Sequence, residues 1–428
     1  MPKANSTPKI SAFASWAYSL AWLPALPFLP FFPALRAGFW QRIRPSGLDA
    51  GVDLWLQAAS AGEAALAREL IQNWPQDKPA SILASSNTPQ GLQILQEVEP
   101  PEQVSLQSIY FPFDAPWIMD LVLHRLRPQV VALVETELWP GLLQACRKKG
   151  QKTMVLNSRM GSRSLARYLF LFQSLGLGSA PRRILAQSPK DADRFRLLFP
   201  QSQIEQVPNL KFDRSLSAEF LPYVQNPLSS LFKPSSPVAV LGSVRKQEEA
   251  SMLRVLQGLL TERPRCIPVL APRHMHRLPI WKDQLENSGL PWVLRSQLQE
   301  SPAAGQIILW DRFGELQQLY ALARAVYVGG SLVPLGGQNF LEPLAQGVSP
   351  CIGPFWENFA WAGEEIVDCG LVQEVQSEQE LVQCLLQGLR QSRPRESVLA
   401  QFQEYVQARQ GGLQKTLQAL LQEISIVN

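Results

Sequence analysis

Histidine is scarce in this chain. The 428 residues contain three, His124, His274 and His276, too few for a histidine-based metal site or a Ser-His-Asp triad. Cysteine is nearly as scarce. Cys146, Cys266, Cys351, Cys369 and Cys384 are odd in number and form no C-x-x-C, which excludes a zinc ribbon and points to a reduced chain without a disulfide framework. Charge is also thin, at 18% of residues with a net of +4. That balance does not suggest a nucleic-acid partner, although it suits a surface near anionic lipid. What the chain has instead is bulk. An apolar fraction of 46% over this length is enough for two domains with large cores.

The N-terminus concentrates aromatic and aliphatic residues. From Ile10 to Leu35 no residue is charged; Lys3 and Lys9 precede the stretch, and Arg36, Arg42 and Arg44 follow it. It is long enough to span a bilayer. Pro24, Pro27, Pro30 and Pro33 interrupt its second half, however, and would break an ordinary helix. The expectation for residues 1–45 is a proline-broken, membrane-associating segment in or dipping into one leaflet, with basic residues at the headgroups. The alternative is a hydrophobic arm packed on the protein itself.

Strands then alternate with helices. Leu54–Ala59, Ser81–Ser85, Val130–Val134, Thr153–Leu156, Ile184–Ala186 and Ile204–Val207 read as strands of a parallel sheet covered on both faces. The pattern lapses over 209–237 and restarts with Val238–Leu241, Ile267–Leu270, Ile307–Leu309, Ala325–Val328 and Pro350–Ile352. The expected organisation is an α/β domain over 46–208, a linker over 209–237, a second α/β domain over 238–395 and a helical region over 396–428. Ligands of such sheets sit at the carboxyl ends of strands.

The candidate residues lie at those ends. Ser60-Ala61-Gly62-Glu63 leaves a strand and starts a helix. Glu63 there is either a general base toward a hydroxyl or a first-turn carboxylate complementing the helix dipole. Glu135-Thr136-Glu137-Leu138-Trp139-Pro140 offers two carboxylates and a Trp to a carbohydrate-like acceptor, or caps a helix. Gly242-Ser243-Val244-Arg245-Lys246-Gln247-Glu248-Glu249 suits a phosphate or is a solvated helix entry, and Arg273 after Ile267–Leu270 either holds phosphate or carboxylate bidentately or is a solvated surface residue. Gly314 and Glu315 could meet a base or ribose. Val326–Pro343 carries Gly329, Gly330, Ser331, Gly336 and Gly337, then Asn339 and Glu342 three apart. A strand, a glycine loop and a helix start together suit an anion, but the spacing is neither a dinucleotide fingerprint nor a P-loop.

In order along the chain, S-A-G-E (60–63), E-T-E-L-W-P (135–140), L-N-S-R-M (156–160), N-L-K-F-D (209–213), P-R-H (272–274), G-E-L-x-x-L-Y (314–320), V-G-G-S-L-V-P-L-G-G-Q-N-F-L-E-P (328–343) and G-P-F-W-E-N-F (353–359) resemble the 3-deoxy-D-manno-octulosonic acid (Kdo) transferases of lipopolysaccharide synthesis. The resemblance covers about residues 50–380. It implies a GT-B glycosyltransferase: two Rossmann-like domains facing a cleft, with an N-terminal membrane association on the cytoplasmic face of the bacterial inner membrane. It implies a CMP-Kdo donor, a lipid A precursor as acceptor, inversion of the anomeric centre, and neither a cofactor nor a tightly bound metal. Carried over, Glu63 is the general base. Ser243, Arg273, Gly314, Glu315, Gly330, Ser331, Asn339 and Glu342 line the nucleotide-sugar site. Ser60, Gly62, Glu137, Arg159 and Lys211 lie at the acceptor or cleft. The chain departs from the family pattern at Arg245-Lys246-Gln247-Glu248, where a His-Glu-Gly-Glu-type stretch is usual, and at Gln338 and Phe340, which replace a His and a Pro. The rival readings are a GT-B transferase for another nucleotide sugar, a UDP-sugar 2-epimerase-like isomerase, and a membrane-tethered binding protein without turnover.

Overall fold

The computed structural model describes residues 12–48, 50–174, 176–177, 179–215 and 220–425. Lys3 and Lys9, and the start of the apolar stretch at Ile10, lie outside them. The chain divides into two compact units, Met1–Asp213 with Arg409–Asn428 and Arg214–Ala408.

Unit 1 holds a seven-stranded sheet of β1 (Leu54–Ala58), β2 (Ala80–Ser86), β3 (Val104–Tyr110), β4 (Val130–Val134), β5 (Lys152–Ser158), β6 (Arg183–Ala186) and β7 (Gln203–Gln206). Its order is β3-β2-β1-β4-β5-β6-β7, and every pairing is parallel. β1 and β4 are buried along their whole length, the expected state of central strands covered by helices on both faces. The strand order reverses between β1 and β4, and at such a switch point the neighbouring loops part and leave a crevice.

Unit 2 repeats the plan with β8 (Val238–Val244), β9 (Ile267–Pro272), β10 (Trp292–Leu294), β11 (Ile307–Leu309), β12 (Ala325–Val328), β13 (Cys351–Ile352) and β14 (Gln373–Glu374). The order is β10-β11-β9-β8-β12-β13-β14, again parallel, with the switch point between β8 and β12. The sequence pattern does not show β3, β10 or β14. All three are edge strands; β3 alternates polar with apolar residues, and β10 and β14 have three and two residues.

Three other expectations change. The 209–237 stretch is not all linker, because Leu210–Ser215 is a helix and Lys211 belongs to unit 1. The C-terminal helical region is divided: Arg395–Gln407 falls in unit 2 and Gly412–Ser425 in unit 1. There Leu417, Ala419 and Leu420 join the core beneath β4 and β5. Cys351 and Cys384, 33 residues apart, form a disulfide. Tertiary packing of strand on helix sets that pairing, so local spacing carries no sign of it.

The N-terminal segment is a helix, Ala12–Ala25, followed by a 3-10 turn over Leu26–Phe31. The prolines shorten the helix rather than abolish it. Trp22, Leu26, Leu29, Phe39 and Ile43 pack against the unit 1 core. Tyr18 donates to Asp114 at 2.7 Å, and Asp114 also accepts from the N–H groups of Gly141 and Leu142. One buried carboxylate thus ties the arm to the helix that follows the Glu135–Pro140 motif. The other side of the arm is bare: Trp16, Leu23, Phe28, Phe31, Phe32 and Trp40 are 58–80% exposed. Arg36 and Arg44 are exposed, but Arg42 is not a headgroup cation. It is buried and donates to the carbonyls of Ala37, Phe111 and Asn87. Among the described residues, no helix is long and apolar enough to cross a membrane.

Candidate active site

Three carboxylates gather at the switch point of unit 1. Ser60 caps the helix Ala61–Gln72, accepting from the Glu63 N–H at 3.3 Å. Glu63 reaches back, its Oε2 accepting from the Ala59 N–H at 2.6 Å and its Oε1 from the Ser60 hydroxyl at 3.0 Å. This reciprocal cap is a variant of the capping box in which the Ala59 amide takes the place of the Ser60 amide, so the helix-capping alternative is realised in the geometry. It does not exhaust the side chain, because a carboxylate has about four acceptor positions. Burial pushes the Glu63 carboxyl above the ordinary range and Glu135 adds to this, against the Ala59 N–H. A raised carboxyl is the stronger base.

Glu135 and Glu137 leave the end of β4. Glu135 sits at φ 56°, a left-handed conformation that a non-glycine residue holds only when its surroundings impose it. Lys211 Nζ lies 2.7 Å from its Oε1, and Arg159 Nε lies 4.0 Å from its Oε2. The Glu137 carboxyl is pushed up to about 7, by burial first, then by Glu63 and Glu135, with Arg167 opposing. The influence of Glu63 and Glu135 on Glu137, and of Glu135 on Glu63, places the three acids in one neighbourhood, and strongly perturbed carboxyls in a crevice are a frequent mark of catalytic groups. Ser60, Glu63, Glu137, Arg159 and Lys211 are therefore in one neighbourhood. Gly62 is in the first turn of the Glu63 helix.

The N-L-K-F-D motif has a clear local logic. The Asn157 side-chain carbonyl accepts from the Leu210 N–H, and Asn209 donates to Gln187, which donates to the Asn157 carbonyl. Asn209 also accepts from the Lys211 N–H. Leu210 and Phe212 are buried, which aims Lys211 at Glu135. Asp213 accepts from the N–H groups of Gly411 and Leu413, closing the start of the last helix. Asn157 itself has φ 50° where the β5–β6 register shifts.

At the switch point of unit 2 the central residue is one that sequence reasoning did not single out. Glu248 is fully buried. Its carboxylate accepts from the Gly330 N–H at 2.6 Å, the Ser331 N–H at 3.1 Å, the Leu332 N–H at 3.2 Å and the Tyr327 hydroxyl at 2.6 Å. The Arg245 N–H adds a fifth contact. The glycine loop does form an anion nest, and a side chain of the same chain fills it. Ser331 is also saturated: its hydroxyl donates to the Val328 carbonyl and accepts from the Gly353 N–H. Gly330 and Ser331 shape the loop here, and their amides are not free for a phosphate. Gly329 is required by a close approach, since a Cβ would sit 2.6 Å from the Ser243 carbonyl. Ser243 lies at φ 55° where the β8–β9 register shifts. The signal for Glu248 in the sequence was a carboxylate three residues after Arg245 at a helix start, the N3 place of a capping box.

Around this loop lies a cationic patch. Arg273 donates to the Gln338 side chain at 3.1 Å. His274 is held below its ordinary range, by desolvation first and then by Arg245 and Arg273. Glu342 is pushed up by burial, with Asn339, which donates to it at 2.9 Å, and Arg273 opposing. Arg273, Gln338, Asn339 and Glu342 thus form one polar group. Glu315 stands apart, paired with Arg295 at 3.3 Å, and Gly314 lies in an exposed loop at φ 84°. Both follow β11, two strands from β8 on the same carboxyl edge.

Two doubly wound units with crevices at their switch points define the class, that of the GT-B glycosyltransferase fold. A UDP-GlcNAc 2-epimerase from Methanocaldococcus jannaschii has a TM-score of 0.51 at 13% identity, covering 80% of this chain and 94% of its own. An α,α-trehalose 6-phosphate synthase from Burkholderia multivorans also has 0.51, at 11% identity, covering 88% and 99%. At these identities the likeness is one of fold. The family follows from sequence. A family model described as 3-deoxy-D-manno-octulosonic-acid transferase (kdotransferase) matches residues 34–214. The 3-deoxy-D-manno-octulosonic acid transferase of Bordetella pertussis is 30% identical over 377 residues, 86% of each chain. That of Haemophilus influenzae is 29% identical over 371 residues, also 86% of each. The chain belongs to the 3-deoxy-D-manno-octulosonic acid transferase family and is a glycosyltransferase.

Proposed function

We propose that the protein transfers Kdo from CMP-Kdo to a lipid A precursor at the cytoplasmic face of the bacterial inner membrane, inverting the anomeric centre. The observation that carries this reading is the set of coupled carboxylates Glu63, Glu135 and Glu137 at a switch point, in a chain of this family. Glu63 takes the proton of the acceptor hydroxyl as its oxygen attacks the anomeric carbon. The bond from that carbon to the CMP phosphate oxygen breaks, and the electron pair leaves with CMP. The sugar passes through an oxocarbenium-like state, while negative charge grows on the departing phosphate. Because Glu248 fills the glycine-loop amides, side-chain cations at Arg273 and Arg245 carry that charge. Asn339 and Glu342 supply polar contacts to the nucleotide, and Gly314 and Glu315 border it. Lys211 and Arg159 hold Glu135 and keep the acid cluster from accumulating uncompensated charge. CMP-Kdo is a substrate, and no resident cofactor enters this scheme.

The exposed face of the N-terminal arm supports a membrane-borne acceptor. Large apolar patches rimmed by cations are typical of membrane contact, and Trp16, Phe31 and Trp40 are the kind of side chain that settles at headgroup depth. The test is incubation of the full chain with CMP-Kdo and a lipid A precursor, read by mass spectrometry, beside a panel of other nucleotide sugars. Acceptor gaining one or more Kdo masses supports the proposal. Transfer from a different nucleotide sugar alone would retain the transferase and reject the donor; Gln338, which replaces the family's usual His and accepts from Arg273, is the donor-side departure that this arm of the panel tests.

A further inference from the structure

The sheet of unit 2 has a second edge, at the amino ends of its strands and opposite the carboxyl ends that carry the candidate site residues of this unit. A cavity of about 330 Å³ lies there, within the size range of small-ligand pockets, roughly 300–1,000 Å³. Its walls are the start of β12, the segment leading into β13, the end of the helix Glu378–Arg390 and the start of the helix Arg395–Gln407. The Cys351–Cys384 bond joins two of these walls.

The lining has one sign of charge. Arg324, Arg393 and Arg395 contribute to it, and among the described residues no Asp or Glu does. Each guanidinium lacks a compensating carboxylate inside the cavity. Arg395 donates to two neutral carbonyls, of Gln346 at 2.6 Å and Ala323 at 2.5 Å. Arg393 donates to the Gly370 carbonyl and the Gln401 side chain. For the Arg324 side chain no hydrogen bond or ion pair is present among the described residues. Burial, with Arg324 pressing on it as a like charge, holds Arg395 down to about 10; the opposing influence is the exposed Glu396, which is not part of the lining. The two bordering helix ends have opposed dipoles, a last turn and a first turn, so the guanidinium groups decide the sign. Gathering like charges with a single exposed carboxylate, Glu396, as counter-charge raises the energy of the empty protein, and an oxyanion that accepts from two guanidinium forks lowers that cost.

We propose that this cavity binds a small phosphate-class oxyanion, at a site separate from the one assigned to the donor nucleotide. Ser349 and Gln387 line it as well and offer neutral donors to the remaining oxygens.

Calorimetric titration of the full chain with inorganic pyrophosphate tests this. Arg324→Ala is the informative variant, because its side chain makes no hydrogen bond whose loss would disturb the fold. The expected result is saturable binding by the wild type, weakened by about tenfold or more in Arg324→Ala, the cost of losing a contact to a charged group. Arg324→Lys, which keeps the charge but not the fork, falls between the two. Arg147→Ala, an exposed residue of unit 1 that belongs neither to the cavity nor to the donor site, binds as wild type does. Absence of binding to wild type, equal affinity in Arg324→Ala, or loss of binding in Arg147→Ala would overturn the proposal. A parallel arm with phosphatidylglycerol vesicles distinguishes sources: weaker vesicle binding by Arg324→Ala assigns the site to a lipid phosphate, and unchanged vesicle binding with the pyrophosphate loss assigns it to a soluble one.

Discussion

At the scale of single residues, unit 1 holds like charges together at its switch point. Glu137 is pushed up to about 7 in part by Glu63. Removing that neighbour's charge must therefore lower it, since a nearby carboxylate disfavours ionisation. In Glu63→Gln the Glu137 titration, followed by infrared absorption of the carboxylate, is expected to move down toward the ordinary range near 4.3. An unchanged midpoint would mean that burial and Glu135 set it without Glu63. Glu63 was legible in the sequence because a capping box and a base can share one position, at a strand end before a helix. Glu248 was not, because what marks it is a set of hydrogen bonds to residues about 80 positions away. The Arg273–Gln338 contact is likewise invisible in spacing.

At the scale of elements, the glycine loop after β12 is held open by a carboxylate rather than by a ligand. Glu248→Gln places an amide donor against N–H groups and removes a buried charge from its partners. Loss of a hydrogen bond to a charged group costs about 1.5–3 kcal/mol, which urea denaturation reads directly. CMP affinity is expected to fall with it, because the loop carrying Gln338 and Asn339 loses its brace; full CMP affinity in the variant would separate loop and site. Most of the central strands were legible, since strands buried on both faces read as continuous apolar runs. The edge strands β3, β10 and β14 were not, because β3 mixes polar with apolar residues and the other two are only three and two residues long. The helix Leu210–Ser215 was hidden for another reason: it has six residues, too few for a periodic signal.

At the scale of the molecule, two doubly wound units carry two chemically distinct groups, acids in one and cations with a glycine loop in the other. The apolar N-terminal arm belongs to the first. Its sequence offered two readings, a membrane anchor and a packed arm, and the structure has features of both: Trp22, Leu26 and Phe39 lie on the core while Phe31, Phe32 and Trp40 stand clear. Replacing Phe31, Phe32 and Trp40 by Ser is expected to leave the melting temperature unchanged and to reduce co-sedimentation with anionic vesicles several-fold; undiminished sedimentation would place the membrane contact elsewhere. The division of labour between the units bears on the central claim, that Glu63 acts as base while the nucleotide is held by other residues. The direct measurement is single-turnover transfer from CMP-Kdo by Glu63→Gln, with CMP affinity measured on the same preparation. Transfer slowed by about 10²–10⁴-fold, the usual contribution of a general base, with CMP affinity intact, is the predicted result. Transfer at the wild-type rate would contradict it.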